Sequence, residues 1–242
     1  MSNEVVMTSK SNKKRISKRR SSLRRNKRIT SSVKSKAIVP VMNTKKFPTI
    51  KSPAKNKKNI IILDLDSTLV HSLDDKERKR FKGDLTKYSS TDTEEFLVIH
   101  RPNVQLFLDF LFDNFKVGVW SAGDKEYVHM VVKHVISCKP KRKLQFILSF
   151  DECTQSQDYY GNLKDLRLLW HKLGHKYCNI NNTLIIDDYN KVVAHQKCNA
   201  IHVAKFNVLK DTNSHEDKEL KSVIKHLKSY KSCDVVRDIH IY

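Results

Sequence analysis

Two carboxylates spaced i, i+2, Asp64 and Asp66, stand directly behind the apolar run Ile60-Ile61-Ile62-Leu63 in the stretch Asp64-Leu65-Asp66-Ser67-Thr68-Leu69-Val70. A buried strand that ends this way turns both side chains toward one side of the chain exit, where they can share a reacting phosphate and a metal ion. The spacing suits a nucleophile and a general acid, and the chemistry it points to is phosphoryl transfer. A calcium loop is excluded: an EF-hand starting at Asp64 needs Gly at its sixth position and Glu at its twelfth, and Leu69 and Asp75 stand there. An ordinary acidic turn is the plain alternative, and only partners elsewhere in the chain can displace it.

Two such partners follow. Val117-Gly118-Val119-Trp120-Ser121-Ala122-Gly123 is a strand closing on a hydroxyl and two small residues, so Ser121 and the amides after it can approach a phosphate, or Ser121 can simply cap a helix. Leu184-Ile185-Ile186-Asp187-Asp188 delivers two more carboxylates from a second apolar strand. Together with Asp64 they make an oxygen-rich set suited to Mg²⁺, a hard cation.

The elements that must position these residues read as an α/β domain. Apolar runs at Ile60–Leu63, Phe96–Ile99, Lys116–Trp120, Gln145–Leu148, Thr183–Ile186 and Ala200–Val203 predict strands of a mainly parallel sheet. Between them, Val104, Phe107, Leu108, Leu111 and Phe115 repeat at helical spacing behind Pro102. Val128, Val131, Val132 and Val135 form a second stripe, and Leu163, Leu166, Leu169, Trp170 and Leu173 a third. A last amphipathic helix is expected from about Glu216 to Tyr230. The polar stretch 71–95 reads equally as a flap over the site or as an exposed hairpin, and 138–162 as an insertion-sized connection.

Of the 242 residues, 1–58 carry 19 Lys/Arg against the single acid Glu4, whereas 59–242 carry 28 basic and 25 acidic residues. Nearly all of the net charge of +21 therefore sits in the first 58 residues, which hold Phe47 as their one aromatic and cannot bury enough apolar surface to offset ordering. The expected organisation is a disordered basic tail, 1–58, and a folded domain, 59–242. The basic blocks of that tail fit an import receptor, nucleic-acid phosphates, or plain solubilisation. With no apolar run long enough to span a bilayer and no signal-peptide core, the expected setting is soluble and intracellular, nucleus or cytoplasm, with no membrane. Five scattered cysteines without a C-x-x-C argue against zinc, and no chemistry is assigned to them.

At this point the chain resembles the haloacid dehalogenase-like (HAD-like) phosphatases, and within them the small RNA polymerase II C-terminal-domain (CTD) phosphatases, the NLI-interacting factor-like family. Asp64 to His71 is similar to the signature D-L-D-x-T-L-V-H, and His100-Arg101-Pro102 to a K-R-P step before a helix. Ser121 stands where the family has Thr or Ser, Lys164-Asp165-Leu166 matches K-D-L, and Ile186-Asp187-Asp188 matches the acidic pair. The resemblance implies a doubly wound, mainly parallel sheet with helices on both faces and a small insertion. It implies that Asp64 attacks phosphorus to form an aspartyl-phosphate, and that Asp66 protonates the departing Ser or Thr oxygen and then activates water. For that role Asp66 must hold its proton more strongly than an ordinary Asp, with nearby carboxylates the expected cause. Thr68 is expected to buttress the loop and to stand with Ser121 and Lys164 among the phosphate-binding residues, while Mg²⁺ is held by Asp64, the Asp66 carbonyl, Asp187 and Asp188.

The implied substrate is a phosphorylated Ser/Thr protein tail such as that of RNA polymerase II. One departure leaves substrate preference open: Leu148 to Cys153 is acidic and apolar where relatives carry basic residues. The alternatives are a phosphatase of nucleic-acid ends, or a non-catalytic scaffold that binds nucleic acid and reads phosphate.

Overall fold

The computed structural model describes residues 59–174 and 177–230. The expectations for the basic segment 1–58, and the thiol of Cys233, lie outside the described residues. The main sheet has five parallel strands in the order β6-β5-β1-β7-β8: β1 Ile60–Leu63, β5 Lys116–Trp120, β6 Ile147–Leu148, β7 Thr183–Asp187 and β8 Ala200–His202. From central β1 the chain builds outward first on the β5 side and then on the β7 side. Such a reversal opens a crevice at the C-terminal ends of the strands.

Alternate residues of these strands feed two cores. Ile61, Leu63, Val117, Val119, Leu184 and Ile186 pack with Leu108 and Leu111 of α2 (Val104–Asn114), Val128 of α3 (Lys125–Val131) and Leu220 and Leu227 of α7 (Glu219–Tyr230). Ile60, Ile62, Trp120 and Ile185 pack with Cys153 of α4 (Phe150–Tyr160), Leu166 and Leu169 of α5 (Leu166–Leu173) and Val192 of α6 (Asn190–His195). Helices thus cover both faces, which is why the parallel strands read as unbroken apolar runs rather than alternating ones. Gly118 of β5 is required by close packing, since a Cβ there would lie 2.4 Å from the Phe146 ring.

Several expectations are corrected or refined. Phe96–Ile99 does not join the parallel sheet: the strand is β4, Leu97–His100, antiparallel to β2 (Val70–Leu73) and β3 (Ser90–Asp92) in a separate three-stranded sheet. The stretch 71–95 is accordingly more than a simple hairpin. It contains β2, β3 and the short helix α1 (Asp75–Arg80), which Asp74 and Glu77 start with a capping box. The connection 138–162 contains α4, again begun by a capping box, Ser149 with Glu152. The strand expected at Gln145–Leu148 is only β6, and the valine stripe on α3 ends in a π-helical turn, Val132–Ile136.

The step between the two sheets is fastened by Arg101. Its guanidinium is buried, forks onto Asp217 just before α7 (Nε 3.0 Å, Nη2 2.8 Å), and donates through Nη1 to the Thr68 carbonyl at 3.1 Å. The loop that follows Asp64 and Asp66 is thereby tied to the far end of the chain. Neighbouring His100 is buried against the hydroxyls of Ser89 and Thr91, and burial pushes its imidazole below the ordinary value.

Arg101→Met should cost about 3 kcal/mol in urea unfolding, because it strands the half-buried Asp217 without its partner. A change below about 1 kcal/mol would show that the fork is not structural. His100 takes its proton more readily unfolded than folded, so its contribution to stability is present above pH 6.5 and is lost as pH falls below it. The stability lost between about pH 7.5 and about pH 5.5 should therefore be smaller in His100→Gln than in the native chain, measured by the same denaturant titration at both pH values.

Candidate active site

The strand register assembles the site. Leu63 pairs with Val119 on one side and Ile186 on the other, so the residues that follow β5, β1 and β7 emerge side by side. Ser121 and Asp64 leave their strands at this edge, and Asp187 is the last residue of β7. The Asp64 amide donates to the Ile186 carbonyl at 3.0 Å, carrying the pairing one step past the strand end.

Lys164 completes the group from a different direction. It precedes Asp165, the N-cap of α5, and its Nζ donates to Asp64 Oδ1 at 2.6 Å and Asp187 Oδ2 at 2.7 Å. All three residues are buried. The loop carrying Lys164 is set by Ser156 on α4, whose hydroxyl donates to the Asn162 carbonyl at 2.6 Å and accepts from the Asp165 amide at 2.7 Å.

One ammonium serves more carboxylates than it can neutralise. Burial alone would drive the Lys164 pKa down, but Asp187 and Asp64 outweigh it and hold the ammonium above the ordinary lysine value. Burial, with the charge of Asp64 added, pushes Asp187 upward despite Lys164, and the same two causes raise Asp188. Excess negative charge therefore remains in the cluster. Asp64, Asp187 and Asp188 each offer a carboxylate oxygen, and these oxygens lie within 4.8 Å of one another. An all-oxygen set that carries excess negative charge fits Mg²⁺.

Thr68 is fully buried and ties the β1 and β7 exits together. Its hydroxyl accepts from the Asp188 amide at 3.1 Å and lies 3.5 Å from Asp188 Oδ1. Ser121 is also buried, and its Oγ accepts from the Gly123 amide at 3.1 Å, a local turn that orients the hydroxyl. Asp66 is half-buried and accepts at 2.5 Å from the hydroxyl of Tyr127 on α3. Between Asp66 and Thr68, Ser67 holds a left-handed backbone with φ of 68°, and its carbonyl receives the Phe206 amide at 2.7 Å. Lys205, exposed at the rim, lies 3.5 Å from Asp188 Oδ2. Cys153 is buried beside the cluster, and burial pushes its thiol up to about 11, which keeps it protonated and inert.

The structure thus bonds Lys164 to Asp64 and Asp187, and Thr68 to Asp188, and brings the three carboxylates within 4.8 Å of one another, with Asp66 and Ser121 on the adjoining loops. Reading the sequence assigned no role to Arg101, Tyr127 or Asp217. Arg101 had a usable signal, an arginine between two apolar elements and a proline. Tyr127 and Asp217 had none, since each gains its meaning only from a contact across the fold.

The chain matches the family model described as NLI interacting factor-like phosphatase over residues 59–237. A CTD phosphatase-like protein of Invertebrate iridescent virus 3 is 38% identical over 186 residues, which cover 73% of this chain and 98% of the relative. Its counterpart in Invertebrate iridescent virus 6 is 33% identical over 168 residues, 66% of this chain and 92% of that protein. Among solved structures, fission yeast Fcp1, an RNA polymerase II CTD phosphatase captured with beryllium fluoride, aligns with 22% identity and a TM-score of 0.46, over 73% of this chain and 53% of that one. The acidic strand ends and their buried lysine sit within the matched residues, and the chain belongs to the NLI interacting factor-like phosphatases.

Proposed function

We propose that this chain is a Mg²⁺-dependent phosphoserine/phosphothreonine protein phosphatase that works through an aspartyl-phosphate on Asp64. The observation that carries the reading is the buried Lys164 ammonium shared between Asp64 and Asp187 at the ends of adjacent parallel strands. A carboxylate held there is oriented by the ammonium and desolvated, two conditions a nucleophile toward phosphorus needs.

Asp64 attacks phosphorus while the ester oxygen departs and takes a proton from Asp66; Asp66 then removes a proton from the water that cleaves the Asp64–phosphate bond. Lys164 and the Ser121 hydroxyl face the phosphoryl oxygens, the first as a charge and the second as a donor. The Thr68 hydroxyl, engaged with Asp188, serves as a brace rather than a phosphate ligand. Asp64, the Asp66 carbonyl, Asp187 and Asp188 are the residues that would hold Mg²⁺, which supplies positive charge against the transferring phosphoryl group.

The substrate in this reading is a phosphorylated tail like that of RNA polymerase II, supported by family membership and by the CTD phosphatase-like viral relatives. We place the catalytic domain at 59–242 and assign residues 1–58 to contact with nucleic acid or an import receptor, roles that fit a nuclear setting and, for nucleic acid, a cytoplasmic one. Among the described residues no helix is long and apolar enough to cross a membrane.

Phosphate release from a doubly phosphorylated polymerase-tail heptad peptide should require Mg²⁺, stop with EDTA, and fall at least about a thousandfold in Asp64→Asn. Preferential release from a 3′-phosphorylated oligonucleotide would instead favour nucleic-acid ends, and no release from either would favour a phosphate reader. Independently of turnover, saturating Mg²⁺ should raise the melting temperature of the native chain, by an amount equivalent to about 2.7 kcal/mol at a hundredfold excess over Kd. The shift should largely vanish in Asp188→Asn; an equal shift in both would remove Asp188 from the metal site.

A further inference from the structure

Tyr127 belongs to no part of the reaction described so far, yet its hydroxyl lies on the residue that reaction uses as its acid. The phenol donates to Asp66 Oδ1 at 2.5 Å and lies 2.6 Å from Ser72 Oγ on β2. A phenol has one proton, so with Tyr127 giving its own to Asp66, the Ser72 hydroxyl must donate to Tyr127. The result is a directed chain, Ser72 to Tyr127 to Asp66, in which each bond polarises the next.

Three separate elements fix that chain. Ser72 is buried and held in register opposite Val98 of β4. Tyr127 is buried on α3, whose N-cap Asp124 accepts from the Tyr127 amide at 2.9 Å. Its ring stands edge-on to Phe96 with centroids 5.1 Å apart and planes at 71°. A tyrosine so packed cannot follow Asp66 if the carboxyl turns. The carboxyl must instead conform to the tyrosine.

We propose that Tyr127, backed by Ser72, is a positioning residue that decides which oxygen of Asp66 carries the proton for the leaving group. A carboxylic acid accepts hydrogen bonds best through its carbonyl oxygen and donates through its hydroxyl oxygen. By donating to Oδ1, Tyr127 makes Oδ1 the carbonyl oxygen and Oδ2 the acid. In the first step the Asp64–phosphorus bond forms, the bond from phosphorus to the ester oxygen breaks, and the electron pair left on that oxygen takes the proton from Oδ2. Asp66 is left as a carboxylate whose charge the phenol continues to solvate. The three-stranded sheet thereby gains a task in the reaction through Ser72. The inference rests on the phosphatase reading above, and its test separates the two.

The measurement is kcat/KM for a series of phosphate monoesters of graded leaving-group acidity, from 4-nitrophenyl through phenyl to alkyl, with native chain, Tyr127→Phe and Ser72→Ala. kcat/KM stops at phosphoryl transfer to Asp64, so the later hydrolysis does not enter. An ester with a good leaving group departs without a proton, whereas an alkyl ester needs one. Tyr127→Phe keeps the ring on Phe96 and should lose about thirtyfold on the alkyl ester but less than about threefold on 4-nitrophenyl phosphate, steepening the dependence on leaving group. Ser72→Ala should steepen it in the same direction by less, and it carries the test alone if Tyr127→Phe does not fold.

A fall of equal size across all esters would show that the hydroxyl only supports the fold, and an unchanged dependence would show that it does not orient the acid. Either result overturns the inference while leaving the phosphatase in place. No turnover of any ester by the native chain would remove the reaction, and the inference with it.

Discussion

Two carboxylates and one ammonium, buried together where adjacent parallel strands end, set the terms for the rest of this molecule. Burying Asp64 and Asp187 without Lys164 would leave like charges facing one another in a low dielectric, which costs several kcal/mol per ion. Holding Lys164 there requires a loop delivered from outside the sheet, and the connection from α4 to α5, pinned by Ser156 of α4, provides it. The parallel register is a second condition. Shifting β7 by one residue against β1 would turn Asp187 to the opposite face and break the bond to Lys164.

The loop between β1 and β2 meets a comparable demand, since it must present Asp66 while keeping Thr68 buried. Its left-handed turn at Ser67 is held from several sides: Thr68 on Asp188, Arg101 on the Thr68 carbonyl, and the Phe206 amide on the Ser67 carbonyl. Strained backbone persists where its surroundings over-determine it, and here the anchors come from β7, from the step before α2 and from the segment after β8. The fork from Arg101 to Asp217 extends the support to α7, so the last helix contributes to the geometry of a loop that begins at residue 64.

Much of this was legible in the sequence because the physics that built it is local. Fully buried parallel strands must be apolar throughout, so Ile60–Leu63, Lys116–Trp120 and Leu184–Ile186 stood out, and acids directly behind two of them pointed to one edge of one sheet. What escaped is where pairing is long-range. Leu97–His100 carries an ordinary strand pattern, and only its partners Val70–Leu73 and Ser90–Asp92 decide that it leaves the parallel sheet. Helix α4 has few apolar residues, and its one clear signal, Ser149 with Glu152 as a capping box, lay in a stretch read as a connection. Lys164 is one cation among 47 basic residues, so resemblance to a family could single it out where charge pattern could not. Tyr127 and Asp217 act through contacts spanning 61 and 116 residues, beyond any local periodicity.

If Asp64 itself takes the phosphate, the bond it forms can be trapped. The native chain would be mixed with a phosphorylated heptad peptide and Mg²⁺, quenched rapidly, reduced with borohydride and digested for mass spectrometry. An acyl phosphate on Asp64 is reduced to homoserine, so homoserine is expected at position 64, and no such change when the peptide is unphosphorylated. Turnover of the same peptide with Asp64 recovered intact, or with the modification on another carboxylate, would contradict it.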